Sequence, residues 1–302
     1  MSKVVITGSI NLDLFVHLER WPGVGETVTS TNFVRALGGK GANQAIAAAR
    51  LGGNAHFIGA IGQDEQGSFV SDALQEDGLE CHIDTHSDCG TGLAIIDLGP
   101  GGENIIRLVP GANGVLAARD VQQRGSVFSG AKVALLQNEI PLKTSIAAAH
   151  AARAAGAIVI MDPAPAPPPG NWTPEVFAAF DVLTPNSTEV EAITGYAPTS
   201  PECAQRAAKD ISKLTGCDVI VTMGGDGAAW CQINATGWCP AEKVKAIDTV
   251  AAGDCFNAAF AVALAEGQAW DQSVKFATKA AAVSTTRSGA AASLPMRWEI
   301  PG

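Results

Sequence analysis

The sequence predicts a doubly wound α/β fold: a mostly parallel sheet flanked by helices, with a small inserted β-sheet lid. Three observations carry this. Short, nearly continuous apolar runs alternate with Ala-rich stretches of helical length, the pattern of parallel strands covered on both faces. Two segments break the alternation with strand pairs that have no helix between them. The chain has 302 residues, 47% hydrophobic and 17% charged, enough for one large core without a disulfide or metal.

In chain order, strands are expected over 4–7, 55–60, 133–136, 158–161, 182–184 and 219–222. Helices are expected over 43–51, 68–76, 145–155, 187–194, 203–214, 253–265 and 271–284. The breaks are 12–17 with 27–36, around Pro22-Gly23, and 91–98 with 104–109, around the glycine-rich 99–102. They form the lid, inserted from about 12–36 and 91–109 into a single domain spanning 1–302. A small sheet with an apolar face must cover a ligand or a partner. The Pro-rich stretch 163–169 reads as a rigid loop after a strand.

The net charge is −10 and no basic run occurs, which argues against nucleic acid as a partner. The start carries no charged n-region with a long apolar run, and no apolar stretch reaches the ~18 residues of a membrane span. The expected setting is cytoplasmic, with no membrane. Seven scattered cysteines suggest free thiols. Cys81, His82, His86 and Cys89 fall close together, but without the CxxC pair of a zinc site. A surface loop leading into a strand is the expectation there.

Five segments carry chemistry. In Asp248-Thr249-Val250-Ala251-Ala252-Gly253-Asp254, small residues precede a helix start. Free N–H groups at such a start bind anions. A carboxylate beside them suits a general base for a weak hydroxyl nucleophile, although an acidic residue in a first helical turn is also common. Gly38-Gly39-Lys40-Gly41-Ala42-Asn43 opens the first Ala-rich helix. Its glycines permit close backbone approach, and Lys40 and Asn43 can bond hydroxyls. Asn11 and Asp13 project from one side of an extended segment and suit a vicinal diol, or else decorate a polar edge strand. Asn186 and Glu189 have capping-box spacing, and Glu189 alternatively lies in the water shell of a phosphate-bound magnesium. Thr222-Met223-Gly224-Gly225-Asp226-Gly227 is a glycine-rich turn after a strand, a place where nucleotides bind.

Together these segments, in this order, resemble the ribokinase-like (phosphofructokinase B) carbohydrate kinases over essentially the whole chain. Pro110-Gly111-Ala112-Asn113, Asn138-Glu139 and Pro163-Ala164-Pro165-Ala166 support it. The resemblance implies ATP-dependent phosphorylation of a sugar's terminal hydroxymethyl, with D-ribose expected and deoxyribose, a nucleoside or a ketose as alternatives. A non-catalytic sugar sensor fits less well, since a sensor needs no base. Asp254 is then the base, with the amides of Ala251, Ala252, Gly253 and Asp254 as an anion hole. Asn11, Asp13, Gly39, Lys40, Asn43 and Glu139 hold the sugar. Asn186, Thr222, Gly224, Gly225, Gly227, Gly253 and Thr278 lie along ATP, and Glu189 serves magnesium. Asp248 and Ser293, with the carbonyls of Val250, Ser284, Arg287 and Gly289, would bind potassium. The lid is the homodimer contact. Three positions depart from the pattern: Ala251 replaces a frequent glycine, Asp162 begins the segment that usually reads NPAPA, and Thr278 stands where a His or Asn is common.

Overall fold

The computed structural model describes every residue except Met1, Thr31, Gly102, Pro169, Gly170 and Gly302. The expected turn 99–102, loop 163–169 and strand 27–36 each contain one of these, which lies outside the described residues. The first half runs β1 (Lys3–Thr7), β2 (Asn11–His17), β3 (Asn32–Gly38), α1 (Lys40–Arg50), β4 (Asn54–Gly62), α2 (Glu65–Gln75), β5 (Glu80–His86), β6 (Gly92–Leu98), β7 (Asn104–Val109), α3 (Ala118–Gln123) and β8 (Val133–Gln137). The second half runs α4 (Leu142–Ala154), β9 (Ile158–Asp162), α5 (Pro174–Phe177), β10 (Val182–Leu183), α6 (Ser187–Thr194), α7 (Pro201–Thr215), β11 (Asp218–Thr222), β12 (Gly227–Gln232), β13 (Ala235–Pro240), α8 (Ala252–Ala265) and α9 (Trp270–Ser284).

The described residues form a nine-stranded sheet, ordered β13-β12-β11-β10-β9-β8-β1-β4-β5. From β11 to β5 all neighbours are parallel, and the β12–β13 hairpin closes one edge antiparallel. Strand residues alternate between two cores. Val4, Ile6 and Leu135 pack with α1, α2, α8 and α9, while Val5, Ala134 and Leu136 pack with α4 and α7. Both faces are covered, which is why these strands read as unbroken apolar runs. The chain leaves β1 for β4 on one side and returns to β8 on the other. Their carboxyl ends therefore flank a topological switch point, where open α/β sheets bind ligands.

The lid is a four-stranded sheet ordered β3-β2-β6-β7, with β2 and β6 parallel. The two inserted segments pair with each other through these central strands. Three strands were not anticipated. β12 and β13 are rich in Ala and Gly, poor β-formers, and their two-residue Ile233-Asn234 turn lacks glycine. β5 was expected to be a loop. It is a polar strand at the sheet edge, and alternation separates the suspected zinc ligands. Cys81 packs against the core on the face away from His82. The described residues do not bring Cys81, His82, His86 and Cys89 together.

Candidate active site

The chain leaves β1 through Gly8-Ser9-Ile10 and enters β2, which carries Asn11 and Asp13, both buried. β2 is an inner strand, so the pair does not sit on a polar edge. The Asn113 amide group braces this entry. Its Nδ2 donates to the Asn11 side-chain oxygen at 2.8 Å and to the Ile10 carbonyl at 2.9 Å, and its oxygen accepts from Ile10 N–H at 2.8 Å. Asp13 Oδ1 is buried with no hydrogen-bond partner among the described residues. Burial, followed by the charges of Glu139 and Asp254, raises the Asp13 pKa to about 7.

The glycines of the 38–41 turn make room for protein. A Cβ on Gly38 would fall 2.0 Å from an Asp13 carboxylate oxygen, and one on Gly41 would fall 2.5 Å from the Gly8-Ser9 backbone. α1 thereby starts against the switch point, with Gly39 at φ 91 as its N-cap. Beyond β8, Glu139 Oε2 accepts from Ser9 Oγ at 2.5 Å and from Lys40 N–H at 3.1 Å.

Asp254, in the first turn of α8, is buried and fully engaged. Asn43 Nδ2 donates to one oxygen at 3.0 Å, and Gln44 Nε2 donates to the other at 3.0 Å. Gln44 Nε2 also donates to Asp162 at 2.9 Å, and the Gln44 oxygen accepts from Gln137 at 2.5 Å. Two carboxylates thus share one amide. Burial pushes the Asp162 pKa up to about 8, against the pull of Lys40 and with Glu189 and Asp254 adding to it. Burial also raises the Asp254 pKa, while Lys40, Asn43 and Gln44 oppose the rise. Burial would lower the Lys40 pKa, but Asp254, Asp162, Glu139 and Glu189 outweigh it and keep the ammonium charged. Asn43 Oδ1 remains buried and unpaired.

At the start of α8, Ala251 has φ 60, and among the described residues it alone adopts positive φ without being glycine. A left-handed residue carrying a Cβ costs roughly 1–2 kcal/mol, so the replacement of glycine here is not free. The N–H groups of Ala251, Gly253 and Asp254 have no protein acceptor among the described residues. The Ala252 N–H instead donates to the Thr249 carbonyl at 3.2 Å. A Cβ on Gly253 would meet nothing within 4 Å.

Asn186 and Glu189 form the capping box. Asn186 accepts from the N–H groups of Thr188 and Glu189, and Glu189 accepts from Asn186 N–H at 2.6 Å and Nδ2 at 2.8 Å. The Glu189 carboxylate is buried, and burial raises its pKa. Thr222 bridges to Asn186 across the loop after β10. Gly224 and Gly225 face open space, whereas a Cβ on Gly227 would strike the Cys239 carbonyl at 2.1 Å. That glycine serves the β12–β13 crossing. The Thr278 hydroxyl donates to Val274 O within α9, so its proton is spent inside the helix. Asp248 ties two loops together, accepting from Val250 N–H at 3.0 Å and Gly289 N–H at 2.9 Å. The carbonyls of Val250, Arg287 and Gly289 accept no hydrogen bond among the described residues. Ser293 Oγ donates to Ala290 O, and Ser284 O accepts from Arg287 N–H.

A family model for pfkB family carbohydrate kinases matches residues 1–297, and the chain belongs to that family. It is 37% identical over 297 residues to ribokinase of Haemophilus influenzae, covering 98% of this chain and 96% of that protein. Ribokinase from Thermotoga maritima superposes with a TM-score of 0.88 at 36% identity, covering 99% of this chain and 98% of its own. Arabidopsis thaliana ribokinase, complexed with ribose and ATP, gives a TM-score of 0.90 at 33% identity, covering 99% and 97%.

Sequence reasoning missed Ser9, Gln44 and Gln137, and gave Asn113 no role. A glutamine inside a buried Ala-rich helix was the available signal for Gln44, because a buried amide needs partners for all its bonds.

Proposed function

We propose that this chain transfers the γ-phosphoryl of ATP to the terminal hydroxymethyl of D-ribose, giving D-ribose 5-phosphate and ADP. The observation that carries this reading is the pair of buried, unpaired acceptors, Asp13 Oδ1 and Asn43 Oδ1, beside the engaged carboxylate of Asp254. Buried acceptors without donors are costly, and sugar hydroxyls supply the missing protons. Asp13 and Asn11 take the ring diol, while Lys40 and Glu139 flank it.

Asp254 accepts the hydroxymethyl proton as the new O–P bond forms and the bond to the ADP oxygen breaks. The amides of Asn43 and Gln44 fix both of its oxygens, so it meets the hydroxyl in one orientation. The free N–H groups at the start of α8 receive charge on the transferring phosphoryl. Gly224 and Gly225 leave open space for the nucleotide. Asn186 would lie along ATP, and Glu189 in the water shell of a magnesium ion, which neutralises phosphate charge when bound. The unpaired carbonyls of Val250, Arg287 and Gly289, held together by Asp248, suit a monovalent cation such as potassium, with Ser284 and Ser293 alongside.

We assign homodimerisation to the lid. Its edge strands expose Phe33, Val34, Ile105, Ile106, Leu108 and Val109, apolar surface that a second copy would cover. No described helix is long and apolar enough to cross a membrane.

The test is coupled ADP release over a panel of ribose, deoxyribose, ketoses and nucleosides, in potassium and in sodium. Ribose in potassium should give the highest kcat/KM. A higher value for any other panel member would replace ribose as the substrate, and equal rates in both salts would remove the potassium assignment. A monomeric mass by light scattering at micromolar concentration would remove the dimer.

A further inference from the structure

At the amino-terminal end of the sheet, opposite the candidate active site, two strands gather a cluster the kinase chemistry does not use. His56 on β4 is paired across the ladder with Glu80 on β5, and His82 lies two residues on. Strand alternation puts all three side chains on one face. His56 Nδ1 lies 3.4 Å from His82 Nε2 and 3.4 Å from Glu80 Oε2, and His82 Nε2 lies 3.6 Å from Glu80 Oε1.

Those separations have a meaning. A tetrahedral zinc ion holds nitrogen and oxygen ligands at about 2.0–2.1 Å, which sets neighbouring ligand atoms about 3.3–3.4 Å apart. Two imidazoles and a carboxylate already stand at nearly that spacing, with the Glu80 side chain 63% exposed and solvent available for a fourth ligand. We propose that His56, Glu80 and His82 form a binding site for a Zn2+-class divalent transition ion that clips the edge strand β5 to β4.

A histidine ligates a metal through a neutral ring nitrogen, so binding here competes with protons. Lys3 and Arg124 also repel a cation, but Arg124 is paired with Asp84 and Glu80 supplies a formal negative charge. The second group on this edge, His86, Asp88 and Cys89, is looser, with His86 Nδ1 and Asp88 Oδ1 3.9 Å apart.

The probe is Co2+, and then Zn2+, titrated into chelator-stripped full-length protein without nucleotide. Co2+ should bind with visible d–d bands and no thiolate charge-transfer band. Zn2+ should raise the melting temperature. Glu80→Ala, at an exposed position, and His82→Ala should each weaken binding at least about tenfold and abolish the thermal shift, since each ligand lost from a three-residue set removes a metal bond. Kinase activity should stay unchanged in both. Cys89→Ser should bind like wild type. Unchanged affinity in Glu80→Ala and His82→Ala would place the ion elsewhere, and a thiolate band would place it on cysteines; either overturns the proposal. Absence of binding at a hundred-micromolar order of Co2+ or Zn2+ would overturn it as well.

Discussion

Around Asp254 the polar side chains are buried and bonded to one another across α1, β9 and α8, with Asp13 buried nearby and unpaired, whereas the turn after β11 is open. A Cβ on Gly38 would collide with Asp13 at 2.0 Å, but a Cβ on Gly225 would touch nothing within 4 Å. One half of the site is built to a fixed shape, and the other leaves space. Discrimination should therefore reside in the first half, because a preorganised set of buried polar groups rejects a ligand that leaves any of them unpaired.

The largest break should come at the base. Asp254→Asn keeps the shape of the hydrogen-bonded cluster but cannot take a proton, and general-base loss costs roughly 100- to 10,000-fold. Turnover should collapse while ribose and ATP still bind by calorimetry. Near wild-type kcat would refute the assignment. The two glycines sharpen the contrast directly. Gly38→Ala displaces Asp13, and a misplacement of about 1 Å costs on the order of 100-fold. Gly225→Ala, whose Cβ would enter the space proposed for the nucleotide, should leave the KM for ribose within about twofold and act on ATP alone. Equal losses in both variants would erase the distinction between the halves.

A smaller effect is expected at Asp162, which faces Lys40 and Gln44 of α1, Glu189 of α6 and Asp254 of α8. With its pKa pushed to about 8, it is mostly protonated at pH 7 and gains its charge above pH 8. The ionised form competes with Asp254 for Gln44 and Lys40. Wild-type kcat/KM should therefore decline above pH 8, while Asp162→Asn stays flat to higher pH. Stability carries the same sign. A carboxyl whose pKa is raised on folding binds more protons folded than unfolded, so its contribution is lost as pH rises from the ordinary carboxylate range through about 8. Asp162→Asn should narrow that loss in thermal melts. Identical pH profiles would show that the shared amide does not couple the two carboxylates.

The smallest effect belongs to Ala251. Replacing a left-handed alanine with glycine relieves about 1 kcal/mol of strain, or about 2 °C in melting temperature for a chain of this size. Ala251→Gly should melt higher with kcat within about twofold. A lower melting temperature would contradict the strain.

Much of this was legible in the sequence, because parallel strands buried on both faces and helix starts rich in small residues have local signatures. The β1, β4, β8, β9 and β11 runs, the opening of α1 and the start of α8 were expected close to where they lie. β5, β12 and β13 were not, since edge strands draw stability from their neighbours more than from their own composition. In the site, side chains on recognisable turns were found, but Gln44, Gln137 and Ser9 were not. Their roles exist only once Ser9 meets Glu139, Gln44 meets Asp162 and Gln137 meets Gln44, each pair more than 90 residues apart. The glycines of the 38–41 turn were read as clearance for ligand and prove to be clearance for Asp13 and the β1 exit. Which partner fills a glycine's space is a tertiary fact.

The most direct test of the central claim compares ribose with deoxyribose on wild type and Asp13→Ala. Deoxyribose lacks the C2 hydroxyl, leaving a buried carboxylate under-paired at roughly 1–3 kcal/mol or more. Wild type should therefore prefer ribose by at least about tenfold in kcat/KM, each ~1.4 kcal/mol being a factor of ten. Asp13→Ala should shrink that ratio while harming ribose most. If the variant slows both sugars equally and the ratio stands, Asp13 only anchors the lid, and the reading of this site as a ribose-diol acceptor is wrong.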